Sequence, residues 1–278
     1  MLVRCWGSRG SISVSGKEYI KYGGDTTCVE VVADSGEIIV IDAGTGIRRL
    51  GNHYAKEKIS RVNMVFTHPH WDHLAGFPFF KLLYKKTATI DIRGPRTTQE
   101  YIKTIISRTM TSPYFPVELT DIAADVKFHS TTGQDDFSIG SVHVKTIPLN
   151  HTNTGVGYRL EENGKAFVFL TDNELGHPHP AGKSFHDYVE FSKGADLLIH
   201  DAEYKPEDYM KGWGHSTYTD AVNLAMQAGV KTIGLFHHNQ DRPDDGVDEI
   251  LESSQKLLKD KGAKIECVAM ATDTEIKL

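Results

Sequence analysis

Three histidines and an aspartate fall within six residues of the stretch Thr67-His68-Pro69-His70-Trp71-Asp72-His73. Imidazoles and a carboxylate offered together suit zinc, manganese or iron. The apolar run Val62-Asn63-Met64-Val65-Phe66 precedes the cluster and reads as a buried strand. The cluster therefore sits on the loop leaving a strand, where layered proteins carry their chemistry. His68 and His70 face the same way if the backbone between them stays extended. Asp72 and His73 come at the turn and can face a second point nearby. A solvated histidine-rich loop would account for one His-x-His pair; the full H-x-H-x-D-H string reads as a metal site.

Other residues of the same types lie further along. His151 stands alone after Ile147-Pro148-Leu149-Asn150. Asp172 follows the apolar run Phe167-Val168-Phe169-Leu170, and a carboxylate at a strand's C-terminal end is a common site position in layered α/β proteins. His177-Pro178-His179-Pro180 has no strand in front of it and reads as structural or surface. His200-Asp201 closes the buried run Leu197-Leu198-Ile199, where it can support metal ligands or only cap the strand. His215 lies in Gly212-Trp213-Gly214-His215-Ser216-Thr217, ahead of a helix over 218–228 with Ser216 or Thr217 as N-cap. His237 and His238 both stand after the strand over 230–236. With 14 histidines in the chain, most must be bystanders.

The elements that position these residues follow from the pattern of apolar residues. Strands are predicted at 2–6, 28–32, 38–41, 62–66, 89–92, 126–128, 142–147, 156–160, 166–170, 197–199, 230–236 and 265–269. Ser35-Gly36 and Asn163-Gly164 mark hairpin turns. Helices are predicted from near Ile47, over 74–84 with an interruption at Pro78, over 97–110 with Tyr101, Ile102, Ile105 and Ile106 on one face, over 185–191, over 218–228 and over 245–261. Ser112-Pro113-Tyr114-Phe115-Pro116 is excluded from helix by its two prolines. The glycine-bearing loops Tyr22–Thr27 and Asp42–Gly46 read as turns, with an anion cradle as the alternative. The layout is two runs of strands, each followed by helices.

Composition bounds the partners. The 278 residues are 39% hydrophobic and 24% charged, enough to bury a sizeable core, and the formal charge of -6 provides no global basic field for nucleic acid. No apolar run is long enough for a membrane span. The chain opens without a charged-then-apolar leader, and its three cysteines show no metal-type pairing, so reduced cysteines in a cytoplasmic protein are expected.

Taken in order, these strings resemble the metallo-β-lactamase-fold hydrolases, a family that builds a two-metal site from five motifs spread along the chain. The resemblance runs from the first strands to His237. It implies an α/β protein, an αββα sandwich of two mixed β-sheets with outer helices, with residues 1–278 as a single domain. It implies two divalent ions. His68, His70 and His151 would hold one; Asp72, His73 and His237 would hold the other; Asp172 would bridge both, with a water or hydroxide between the ions. Zinc is expected first from the imidazole-rich set, with manganese next because carboxylates contribute. His237 is preferred to His238 because it directly follows its strand.

The same resemblance narrows the chemistry. His70 stands where flavo-diiron relatives carry glutamate, which disfavours oxygen reduction. Asp172 stands where the best-known β-lactamases carry cysteine, and a bridging carboxylate suits phosphodiester or thioester hydrolysis better than lactam opening. Gly214-His215-Ser216-Thr217, then a helix, a strand and His237, is similar to ribonuclease Z and its smaller phosphodiesterase relatives, in which the extra histidine acts on the phosphate or leaving group. Asp72 and His215 are the catalytic candidates, His215 as general acid. Ribonuclease Z grips tRNA with an arm inserted between the third-motif histidine and the bridging aspartate. Here 20 residues separate His151 from Asp172, and two strands and a turn consume them. The expected substrate is a small phosphodiester such as a cyclic nucleotide, with neither a membrane nor a long nucleic acid as partner. The alternatives are a lactone or thioester hydrolase on the same fold and a ribonuclease Z-like RNA-processing nuclease. Relatives of this kind are often dimers.

Overall fold

The computed structural model describes residues 1–131 and 136–278, with the backbone alone described at 96–99, 130 and 131. In chain order the elements are β1 (Leu2–Gly7), β2 (Cys28–Val32), β3 (Ile38–Ile41), α1 (Ile47–Lys56), β4 (Arg61–Val65), α2 (Trp71–Leu74), β5 (Thr89–Pro95), α3 (Arg96–Thr109), β6 (Asp125–Thr131), β7 (Phe137–Ile139), β8 (Val142–Pro148), β9 (Val156–Glu162), β10 (Lys165–Leu170), α4 (Phe185–Ser192), β11 (Leu197–Asp201), α5 (Tyr218–Ala228), β12 (Thr232–Phe236), α6 (Asp244–Asp260), β13 (Glu266–Ala269) and β14 (Glu275–Lys277). The strands form two sheets, ordered β14-β1-β2-β3-β4-β5-β6 and β13-β12-β11-β10-β9-β8-β7. β3 to β6 are parallel, as are β10 to β13, and the remaining pairings are antiparallel.

Burial follows that layering. Val3, Val29, Val31, Ile39, Ile41, Phe167, Phe169 and Phe236 pack between the sheets. The opposite faces of the same strands, with Val40, Val62, Met64, Ile90 and Ile92, meet α1 and α3 on one side. Val168, Leu198, Ile233 and Leu235 meet α4, α5 and α6 on the other. Strands covered on both faces must be apolar at nearly every position, which is why β3, β10, β11 and β12 read as nearly continuous hydrophobic runs. Two mixed sheets flanked by helices make the expected αββα sandwich. Among the described residues no helix is long and apolar enough to cross a membrane, and Cys5, Cys28 and Cys267 are free and buried.

Four segments depart from the sequence expectation. The helix expected over 74–84 is instead the single turn of α2 followed by two 3-10 turns, Phe77–Phe79 and Lys81–Tyr84. Pro78 cannot sit inside a regular helix, and a side chain at Gly76 would lie 2.0 Å from the carbonyl oxygen of Gly44, so this backbone is pressed onto the loop after β3. β11 runs on through His200 and Asp201, which belong to the strand. β7 and β14 were not anticipated, because each is three residues long. β14 pairs antiparallel with β1 and places Ile276 against the inter-sheet core. The hairpin turn expected at Asn163-Gly164 joins β9 to β10, with φ of 52° and 75° at its two residues, as a type I′ turn requires.

Candidate metal centre

Parallel strands in both sheets end at the same edge of the sandwich, and this is where the chemistry-bearing residues collect. Asp42 follows β3, His68 and His70 follow β4, Asp172 follows β10, Asp201 ends β11 and His237 follows β12. Asp42, Asp172 and His237 adopt left-handed backbone conformations, with φ of 62°, 56° and 57°. Non-glycine residues pay for that conformation and keep it where the surroundings dictate it, often at functional sites. Here it turns each side chain off its strand toward one point.

The structure brings all seven predicted ligands together in two adjoining groups. Ligand atoms of His68, His70 and His151 lie within 4.8 Å of one another, as do those of Asp72, His73, Asp172 and His237. Asp172 reaches both groups: its Oδ2 is 3.7 Å from His68 Nε2, 3.8 Å from His151 Nε2 and 3.1 Å from His237 Nε2, and its Oδ1 is 3.4 Å from His73 Nε2. Asp72 Oδ2 lies 3.3 Å from both His73 Nε2 and His237 Nε2. His238 is elsewhere, its Nε2 donating to the Met270 carbonyl at 2.7 Å.

The outer nitrogens of four of these five imidazoles are occupied, which fixes their tautomers, while His70 Nδ1 lies 3.0 Å from His151 Nε2. His73 Nδ1 pairs with Asp42 Oδ2 at 2.8 Å, and Asp42 also accepts from the Thr67 backbone N–H and hydroxyl. Because the Thr67 hydroxyl is spent on Asp42, its oxygen accepts from His68 Nδ1 at 3.0 Å. His151 Nδ1 donates to the Gly214 carbonyl at 3.0 Å, and His237 Nδ1 to Glu203 Oε2 at 3.0 Å. The inner nitrogens then face the centre. His68 Nε2 and His73 Nε2 are buried with no hydrogen-bond partner, an arrangement that is costly unless something else binds there.

Charge tells the same story. Burial holds His68, His70 and His151 below the usual histidine range, His151 at about 3, so the three are neutral imidazoles. Burial also pushes Asp72 and Asp172 upward, but His73 and His237 outweigh it, and both carboxyls stay well below their usual range. Burial lowers His73 and His237 in turn, yet Asp72 and Asp172 lift both well above the ordinary value. Two buried carboxylates thus demand compensating positive charge at the points where the inner nitrogens converge. The neutral imidazoles of His68, His70 and His151, the ionised carboxylates of Asp72 and Asp172 and the unpartnered Nε2 atoms of His68 and His73 fit divalent cations.

Sequence reasoning missed two members of this edge. Asp42 sits at the end of an apolar strand, as Asp172 does, and that parallel was its only signal. Glu203 had none: it reaches His237 through a loop, and its second oxygen accepts from Asn239 Nδ2 at 2.8 Å. The loop from β1 also takes part. The Ser11 backbone N–H donates to Asp72 Oδ2 at 2.9 Å, and a side chain at Gly10 would lie 2.2 Å from the His237 ring, so only glycine fits there. The anion-cradle reading of the other two glycine-bearing loops does not hold. N–H groups of the two loops donate to acceptors of the loops themselves: Gly44 donates to the Thr27 carbonyl, Gly46 to the Thr26 carbonyl, and Thr26 and Thr45 exchange backbone-to-hydroxyl bonds.

His215 stands at the rim of the two groups. Its ring stacks on His237 with centroids 4.6 Å apart and lies 5.2 Å from His151. Its Nδ1 pairs with Asp201 Oδ2 at 2.7 Å, leaving Nε2 free to meet a substrate, and Asp201 Oδ1 holds the Glu203 and Ser216 backbone N–H groups. Burial lowers its basicity, but Asp201 overrides this and raises it to about 9. Trp213 is 62% exposed, and His215 packs on His237. Thr217 is the N-cap of α5. The loop carrying His215 is tied down by buried Glu174, which accepts from the Gly212 and Gly214 backbone N–H groups at 2.6 and 2.8 Å, from the Tyr209 hydroxyl and from His179 Nε2. That bond gives His179 the structural role expected of its loop.

A sequence model of the Beta-lactamase superfamily domain matches residues 37–238. Ribonuclease Z of Porphyromonas gingivalis is 26% identical over 268 residues, covering 80% of this chain and 86% of that protein. The metallo-beta-lactamase fold protein YhfI of Bacillus subtilis superposes with a TM-score of 0.72 at 16% identity, over 99% of this chain and 98% of that one. Zn(2+)-bound PqqB of Methylobacterium extorquens gives a TM-score of 0.73 at 14% identity, over the full length of both chains. At such identities the two structures speak to the fold.

Proposed function

Because this chain belongs to the beta-lactamase superfamily and is a metal-dependent hydrolase, we propose that it hydrolyses small phosphodiesters, such as cyclic nucleotides, at a two-metal centre. The observation that carries this reading is Asp172, whose carboxylate reaches both groups of histidines while Asp201-bound His215 faces them from the rim. We assign His68, His70 and His151 to one ion, Asp72, His73 and His237 to the other, and Asp172 to both. Zinc is the first candidate and manganese the second, and 1–278 act as one hydrolase domain. Divalent ions at these positions supply Lewis acidity, neutralising phosphate oxygens and bringing the pKa of water toward neutrality.

The chain's own residues do the rest. Asp42, Thr67, Gly214 and Glu203 fix the imidazole tautomers and so preorganise the site. Asp72, itself held by the Ser11 N–H, keeps negative charge beside His73 and His237. Asp201 holds His215 by Nδ1, with Nε2 turned away from that carboxylate, and supports its cationic form. From there His215 Nε2 gives its proton to the oxygen that leaves phosphorus.

The relatives named ribonuclease Z favour one other reading, the cleavage of RNA. Against it stands the interval from His151 to Asp172, which the β9–β10 hairpin occupies. Assaying the metal-replete protein on a chromogenic phosphodiester, a lactone and a thioester tests the reaction class. Turnover of the phosphodiester alone is expected; turnover confined to the lactone or thioester would move the protein to a different reaction on the same fold.

A further inference from the structure

A phosphodiester presents two organic groups to the centre, and at least one must be accommodated beside it. A cavity of about 860 Å³ opens next to His68 and His70, between the middle of α3 and the loop that carries His151. Its apolar wall includes Tyr101 and Ile105 from α3, Ile147 from β8 and Val156 from β9. Tyr101 and Ile105 are four residues apart, so they share one face of the helix. Tyr101 is 64% exposed, a large aromatic surface left open beside the site. Opposite it, Asn153 and Thr154 hold positive φ of 62° and 70° where their loop lines the cavity.

The polar side chains of this wall, outside the histidines, are hydroxyls and one amide, from Thr67, Thr146, Asn153 and Thr154; among the described residues no lysine or arginine lines the cavity. A second phosphate here would lose its hydration without meeting a cationic side chain among the described residues, which is costly. A flat uncharged ring would instead bury its faces against Tyr101, Ile105, Ile147 and Val156 and direct its edge to the Asn153 amide and the Thr154 hydroxyl. Resting on the phosphodiesterase reading above, we infer that this cavity is the subsite for an uncharged planar ring, of nucleobase type, carried by an alcohol esterified to the reacting phosphate. Tyr101 is its specificity-determining residue.

The test measures binding, so it is independent of turnover. Phenylphosphonate, methylphosphonate and 1,4-phenylenediphosphonate are titrated calorimetrically into the metal-loaded protein, its Tyr101→Ala variant and its Tyr101→Phe variant. Phenylphosphonate is expected to bind about tenfold or more tighter than methylphosphonate, the modest end of what burying a ring yields. Tyr101→Ala should bring the two within about threefold, Tyr101→Phe should restore the preference, and the diphosphonate should bind more weakly than phenylphosphonate. Equal binding of phenyl and methyl compounds, no binding of either, a preference that survives Tyr101→Ala, or tighter binding of the diphosphonate would each overturn the subsite. A protein that prefers phenylphosphonate yet hydrolyses no phosphodiester would instead sink the reaction assigned above and leave the subsite standing.

Discussion

Asp172 and Asp201 both close apolar strands, and the geometry gives them different work. Asp172 faces four imidazoles, whereas Asp201 faces His215 and two backbone N–H groups. Asp172→Ala should abolish turnover and weaken binding of both ions; Asp201→Ala should keep the metals and cost about 10–100-fold in rate, the scale of an outer partner. Measuring metal content and kcat for both variants checks this, and the reverse ranking would show that the bridging carboxylate has been misassigned. The ligand set also predicts about two divalent ions per chain, countable by elemental analysis, with His68→Ala or His73→Ala losing metal; full occupancy in the double variant would remove the assignment. His215→Ala should retain metal and lose about 10²–10⁴-fold in rate on a nucleotide phosphodiester. The loss should shrink on a nitrophenyl ester, whose leaving group hardly needs a proton, while equal losses on both would point to packing. The His68–His73 string was legible because its residues are neighbours in sequence. Asp42 and Glu203 were not, because their roles depend on which side chain each meets across the fold.

At the scale of elements, the strands that deliver the site were legible from their apolar runs, since burial on both faces leaves few polar positions. The short pieces were not. β14 offers one half-buried side chain and two exposed ones, and it pairs with the edge of β1. The helix expected over 74–84 gives way to tighter turns where Gly76 meets Gly44 and Pro78 breaks the hydrogen-bond ladder. The segment from Tyr209 to Gly214 has no regular structure of its own, and Glu174 supplies what a helix or strand would have. Glu174→Ala leaves two backbone N–H groups, a tyrosine hydroxyl and an imidazole without their acceptor. Hydrogen bonds to a charged group contribute about 1.5–3 kcal/mol each, so thermal unfolding should show a loss of at least that size. Because Gly214 carries His215 and accepts from His151, kcat should fall as well. An unchanged melting temperature with unchanged kcat would mean that the loop holds itself.

For the whole molecule, the two sheets converge on one edge, and the sites of substrate and chemistry lie together there. The formal charge of -6, the hairpin that occupies the interval between His151 and Asp172, and a cavity without basic side chains among the described residues all favour a compact substrate of low charge. The αββα layering was legible because its periodicities are local; the cavity was not, since α3, β8 and the His151 loop meet only after folding. The most direct measurement places a 3′,5′-cyclic nucleotide and a tRNA precursor side by side with the metal-replete protein, before and after treatment with a chelator. The cyclic nucleotide should be opened, the chelator should stop this, and the precursor should stay largely intact; efficient cleavage of the precursor with the cyclic nucleotide untouched would contradict the small-phosphodiester assignment.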